Sequence, residues 1–229
     1  MTGRLVVVTG TGTNIGKTHL ACALARCWEA HGGKIAAIKP IESGSEGPLG
    51  PDSLALAAHG TFHVKQPPPY VLPTPCTPAR AAREAGVSID IERVIAWVNA
   101  ARQDADGVIV ELPGGLFSPV ASGWTNAELQ QELHPDAAVL VAPNRIGVLH
   151  DCTSAIRAAR AQSIAFSCIC LVEAADSDAS TRWNAEDLRD LEGLPPVGEI
   201  PRGTIEELSL SGEVAWALER CLRDDATAL

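Results

Sequence analysis

The chain has 229 residues, a length that suits one large α/β domain or two small ones, since about 150 residues per domain is the usual scale. Hydrophobic residues make up 46% and charged residues 20%, enough apolar surface to offset the entropy of ordering the backbone, which excludes a disordered chain. The formal net charge of −10 repels nucleic-acid backbones and anionic membrane surfaces, so neither is expected as a partner, while a few cations at short range can still hold a phosphate.

After Met1 to Arg4, the stretch LVVVTG is too short and too soon broken by glycine to be a secretory leader. Its residues Leu5 to Val8 are apolar and β-branched without alternation, the mark of a strand covered on both faces of a parallel sheet. A glycine-rich turn follows, then helical spacing from Lys17 to about His31, ended by Gly32 and Gly33, and a short strand from Lys34 to Lys39. This opening is a βαβ unit with a right-handed crossover.

Next come a Gly, Ser and Pro-rich loop from Ser43 to Pro51, a helical stretch from Asp52 to Ala58, and a Pro-dense connector from Pro67 to Pro78, read as a stiff exposed wrapping segment. Ile89 to Ala105 reads as a helix, Gly107 to Val110 as a buried strand and Ala137 to Ala142 as another. Gly147 to Ala161 reads as a helix, Ile164 to Val172 and Val197 to Ile200 as strands, and Leu208 to Arg223 as a closing helix. Strands alternating with helices predict one doubly wound, mostly parallel sheet flanked by helices, a single domain over residues 1–229. No apolar stretch approaches the ~20 residues that span a bilayer. Seven cysteines without a CxxC pair read as buried free thiols, suited to a reducing cytoplasm.

The sequence GTGTNIGKT, Gly10 to Thr18, lies between a strand and a helix, as a P-loop must. Gly10, Gly12 and Gly16 are expected to take positive φ and turn the amides of Gly12, Thr13, Asn14, Ile15 and Gly16 toward a nucleotide's phosphates. Lys17 adds a positive charge and Thr18 a hydroxyl for magnesium. Thr11 stands where the common spelling has the first glycine of GxxxxGK[ST], so the loop is a variant. Magnesium also asks for a carboxylate at the carboxyl end of a strand. Glu111, followed by Leu112, Pro113, Gly114 and Gly115, is placed for that, or is a surface carboxylate at a strand end. Asp52 is ordinarily a helix N-cap and alternatively a metal ligand.

Taken together, GTGTNIGKT at 10–18, KPIESGSE at 39–46, PDSLAL at 51–56, ELPGGLFSP at 111–119, NRIGVLHDCTSAI at 144–156 and VGEIP at 197–201 resemble the dethiobiotin synthetases, in order and separation. The resemblance implies an ATP- and magnesium-dependent ligase that makes the ureido ring of dethiobiotin from 7,8-diaminopelargonate and carbon dioxide in biotin synthesis. One substrate amine captures carbon dioxide, the carbamate takes the γ-phosphoryl group, and the second amine closes the ring on the mixed anhydride. By the same resemblance, Lys17 and Lys39 are the cations on the transferring phosphoryl group. Thr13 and Ser43 hold the carbamate, Gly114 lines the substrate, and Thr18, Asp52 and Glu111 hold magnesium. The family is a homodimer, and its substrate tail sits at a helix start matched here by Gly147, Val148, Leu149 and His150. On residue chemistry alone Lys39 reads as a solvated strand end and His150 as a plain first-turn residue.

Three departures stand out. Gly12 replaces a frequent aspartate, ELPGG replaces EGAGG, and Glu173 stands where the family places an asparagine on the adenine edge. A carboxylate only accepts hydrogen bonds, which points to a weaker or shifted base preference, with CTP as the alternative nucleotide. Rival readings are a P-loop ATPase dimer switch of the partitioning kind, an amidase synthetase domain, and a diverged non-catalytic nucleotide binder. The first of these carries a second lysine near the position of Thr11 and often ends in a basic helix, whereas the carboxyl segment here carries Glu213, Glu219, Asp224 and Asp225.

Overall fold

A computed structural model describes residues 2–175 and 178–223; Asp224 and Asp225 lie outside them. Strand β1 (Arg4–Gly10) runs straight into the glycine-rich loop and helix α1 (Lys17–Glu29) leaves it. Then come β2 (Ile35–Ile38), a short β3 (Ile41–Ser43), α2 (Pro51–His59), β4 (Tyr70–Leu72), α3 (Pro78–Glu84), α4 (Ile91–Asp104) and β5 (Gly107–Glu111). The second half holds β6 (Pro119–Ala121), β7 (Trp124–Thr125), α5 (Asn126–Leu133), β8 (Ala137–Asn144), α6 (Val148–Ala161) and β9 (Cys168–Glu173). It closes with α7 (Asn184–Asp190), β10 (Val197–Ile200), α8 (Ile205–Ser209) and α9 (Gly212–Leu222).

Six strands form one parallel sheet in the order β10-β9-β8-β1-β5-β2, with helices on both faces. Side chains alternate across it: Val6 and Val8 join the core under α1 and α9, while Leu5 and Val7 join the core under α4. Both sides of β1 are therefore apolar, which is why its sequence shows no polar alternation. Because every strand runs the same way, their carboxyl ends share one edge. Gly10 pairs with Val141 there, and Asn144 with Glu173. Ile38 pairs with Val110, so the next residues along each chain, Lys39 and Glu111, come side by side.

Three readings of the sequence are corrected. The Pro-dense connector contains β4, which pairs in parallel with β3 through Ile41 and Tyr70, Glu42 and Val71, and Ser43 and Leu72; its prolines flank the three paired residues rather than interrupt them. The strand foreseen from Ile164 begins only at Cys168. The closing helix is two, broken at Leu210 and Ser211, where the Ser211 hydroxyl accepts the Val214 N–H at 3.2 Å and starts a new helix. Strand β3, helices α3, α5 and α7 and the β6–β7 pair were not foreseen. All seven cysteines are free and six are buried; burial pushes the Cys22 and Cys152 thiols up to about 12. Among the described residues no helix is long and apolar enough to cross a membrane.

Candidate active site

The loop between β1 and α1 is shaped by two left-handed residues, Asn14 at φ 57° and Gly16 at φ 92°. Asparagine tolerates that region and glycine enters it freely. Gly10 and Gly12 do not take positive φ, contrary to expectation. Gly10 sits instead in a crowded spot, where a Cβ would lie 2.5 Å from Ile15 Cδ1 and 3.0 Å from the Val141 carbonyl oxygen. The Thr11 N–H is used by Val141 O at 2.9 Å, whereas those from Gly12 to Thr18 donate to no acceptor among the described residues. Seven successive free donors beside the positive end of α1 make an anion cradle.

Lys17 is 5% exposed and folds back over the loop, its Nζ donating to Gly12 O at 2.6 Å. Burial lowers its pKa from 10.5 to about 8; Glu111 and Asp52 pull upward and Lys39 adds to the fall. A bound polyphosphate would reverse that by supplying negative charge.

Lys39 is no solvated strand end: it is 6% exposed, with Nζ 2.5 Å from Asp52 Oδ2 and 2.7 Å from Glu111 Oε1. Burial alone would lower its pKa, but Glu111 and Asp52 outweigh it and hold the ammonium above its ordinary value. Glu111 is 1% exposed rather than at the surface, and its Oε2 has no hydrogen-bond partner among the described residues. Asp52 is not the cap of α2. That position is Gly50, and Asp52 follows Pro51 inside the first turn.

Thr13 is exposed at the top of the loop. The turn after β5 reaches it: a Cβ on Gly114, at φ 70°, would lie 3.7 Å from Thr13 Oγ1, and one on Gly115 would lie 3.2 Å from the Thr11 carbonyl. Asn126, fully buried, holds this turn by donating from Nδ2 to Pro113 O at 2.5 Å and Gly115 O at 2.8 Å. Ser43 commits its hydroxyl proton to Cys76 O at 2.6 Å, leaving its lone pairs free.

At α6, Gly147 is the cap, at φ 91°. The Val148 side chain is buried in the core and its N–H donates to Arg145 O at 3.2 Å, so Val148 offers an incoming group neither. Leu149 and His150 keep amides without an acceptor among the described residues, and the His150 side chain is exposed. Glu173 ends β9, accepts the Arg202 N–H at 3.0 Å, and opens on a cavity of about 700 Å³ shared with Asn144, Arg182 and Trp216. Sequence reasoning missed Asn126 and the buried Glu42, whose roles are backbone contacts across chain separations that no local pattern signals.

A parallel sheet with a free-amide loop leading into a helix, a lysine in that loop and two carboxylates around a second lysine at the same edge together define an α/β P-loop nucleotide-binding protein. An AAA domain family matches residues 4–206. The chain is 32% identical to the ATP-dependent dethiobiotin synthetase of Rhodopirellula baltica over 86% of this chain and 83% of that one. It is 35% identical to that of Nitrosospira multiformis over 71% and 72%. The chain belongs to the ATP-dependent dethiobiotin synthetase family. Solved structures share the fold alone: a ParA family ATPase from Chlorobium tepidum at TM-score 0.56 and 16% identity, covering 94% of this chain and 92% of that one, and the Aquifex aeolicus MinC:MinD complex at 0.55 and 14%, covering 99% and 98%.

Proposed function

We propose that this chain, as one domain, is an ATP- and magnesium-dependent ligase that closes the ureido ring of dethiobiotin from 7,8-diaminopelargonate and carbon dioxide in the cytoplasm. The observation that carries the reading is the Lys39 ammonium held between Asp52 and Glu111, next to a loop of free amides. Phosphoryl transfer asks for positioning and charge neutralisation rather than a protein nucleophile. The amides of Gly12 to Thr18 and the Lys17 ammonium hold the β and γ phosphates. Lys39 bridges the carbamate and the γ-phosphate, while Thr13, Ser43 and the backbone at Gly114 orient the carbamate.

The residues present fit magnesium. Among the described residues Glu111 Oε2 is a buried acceptor without a partner and the Thr18 hydroxyl makes no hydrogen bond, and the Asp52 side chain is 40% exposed. No group of three His, Cys, Asp or Glu side chains gathers there among the described residues, so phosphate oxygens and water would complete the shell, as is usual for this ion. When bound, magnesium neutralises charge on the transferring phosphoryl group.

The reading includes a homodimer. Phe117 and Ile146, at 38% and 72% exposure, follow the carboxyl ends of β5 and β8, Leu54 on α2 is 54% exposed, and a second copy would cover all three. The amides of Leu149 and His150 would then hold the substrate's carboxylate across the interface. Light scattering tests this: Ile146→Asp should be a monomer, and a wild-type monomer removes the interface.

Glu173 offers only acceptors to a base, which supports ATP with CTP as a competing nucleotide. The experiment is phosphate release with magnesium, bicarbonate and 7,8-diaminopelargonate, run with ATP and with CTP. Release that requires the diamine upholds the ligase reading, and release without it, or none, sinks it. Thr11 offers no second lysine to a dimer switch, and no observation beyond the fold favours that alternative.

A further inference from the structure

We infer that Glu42 is a positioning residue that sets the Asp52 carboxylate for the divalent cation; this rests on the ligase reading above. Glu42 lies in the middle of β3 and is 3% exposed. Its Oε1 accepts the Asp52 N–H at 2.9 Å, and its Oε2 accepts the Ser53 N–H at 3.0 Å and the Ser53 hydroxyl at 2.6 Å. The first turn of a helix leaves such amides unpaired, and a side chain at the cap ordinarily takes them. Here the cap is Gly50, which has no side chain. A Cβ on Gly50 would fall 2.2 Å from Glu42 Cδ, so the glycine is the room that the remote carboxylate occupies.

Glu42 is itself anchored, because β3 is laddered to β4 through the pairing of Glu42 with Val71. A continuous path of contacts therefore runs from that ladder through Glu42 to the backbone of Asp52, and from the Asp52 side chain to Lys39 Nζ. Ordinary capping would be served by a hydroxyl or amide on the helix's own cap residue. A full carboxylate reaching in from a strand does more: it ties the angle of α2, and with it the reach of Asp52, to the β3–β4 pair, whose strand β3 follows Lys39 after a single residue.

Glu42→Gln tests this. The amide keeps the shape but presents a donor to one of the two N–H groups, so one bond is lost and the first turn shifts. Two readouts are taken at matched fold, checked by circular dichroism: manganese binding followed by electron paramagnetic resonance with a non-hydrolysable ATP analogue, and the magnesium dependence of phosphate release. Changes behind a metal ligand cost about 10- to 100-fold in metal affinity, and manganese affinity and the magnesium requirement should both weaken by that much, with turnover recovering at high magnesium. Should Glu42→Gln not fold, Glu42→Asp, which withdraws the charge by one methylene, carries the same expectation. Unchanged manganese affinity in a folded variant overturns the role, as does a lost kcat that no magnesium restores. A wild-type chain that binds no manganese with the analogue overturns the ligase reading, and this role with it.

Discussion

Lys39 Nζ lies 2.7 Å from Glu111 Oε1, although the two residues are 72 positions apart. They meet because β2 and β5 are neighbours in parallel register, which in the proposed reaction sets the pair beside the transferring phosphoryl group.

Lys39→Met keeps the stem and removes the charge. Turnover should fall by about 10²–10³-fold, the usual cost of one preorganised charge contact in such a step. Glu111 is left buried without its cation, so unfolding without ligand should ease by about 3–5 kcal/mol, and magnesium nucleotide should restore part of it. Steady-state kinetics and denaturant melts check both; normal turnover removes Lys39 from the mechanism.

Lys17 binds fewer protons folded than unfolded between pH 8 and 10.5, because burial first, and Lys39 second, depress it. It therefore costs stability below that window, on the order of 3 kcal/mol, and the cost fades as pH rises through it. A triphosphate restores the ammonium, so nucleotide binding should take up close to one proton at pH 9 and far less at pH 7. Calorimetry in two buffers of different ionisation heat measures this. No buffer dependence at pH 9 would contradict the buried lysine.

Gly16→Ala forces a side chain into φ 92° with its Cβ 2.8 Å from Val172 Cγ1. The strained backbone alone costs about 1–3 kcal/mol, and the amides on either side lose their aim. Nucleotide affinity, read by fluorescence titration, should drop at least tenfold relative to wild type, since about 1.4 kcal/mol is a factor of ten.

Asn126→Asp places acceptors against the Pro113 and Gly115 carbonyls that Nδ2 now serves. Asn126→Ala merely strands those carbonyls, at about 1–3 kcal/mol for a buried unpaired group, and relieves an Oδ1 that has no partner among the described residues. The aspartate variant should thus be the less stable of the two in urea melts. The reverse order would show that the turn after β5 is not held by this side chain.

Read from the sequence, the phosphate loop, its flanking strand and helix, the alternating α/β order, and Lys39, Asp52 and Glu111 as candidates were all in hand. The loop, its flanking elements and the α/β order depend on short-range rules: glycine placement, unbroken apolar strands and helical periodicity each act within a few residues; the roles of Lys39 and Asp52 came with the family resemblance. Tertiary structure alone decided that Lys39 is buried between two carboxylates, that Glu42 rather than a local cap takes the α2 amides, that Val148 offers an incoming group nothing, and that a strand lies within the Pro-rich connector. Those outcomes follow from the parallel register, which gathers distant strand ends at one edge, and from burial, which favours a partner for most polar groups wherever the chain brings one.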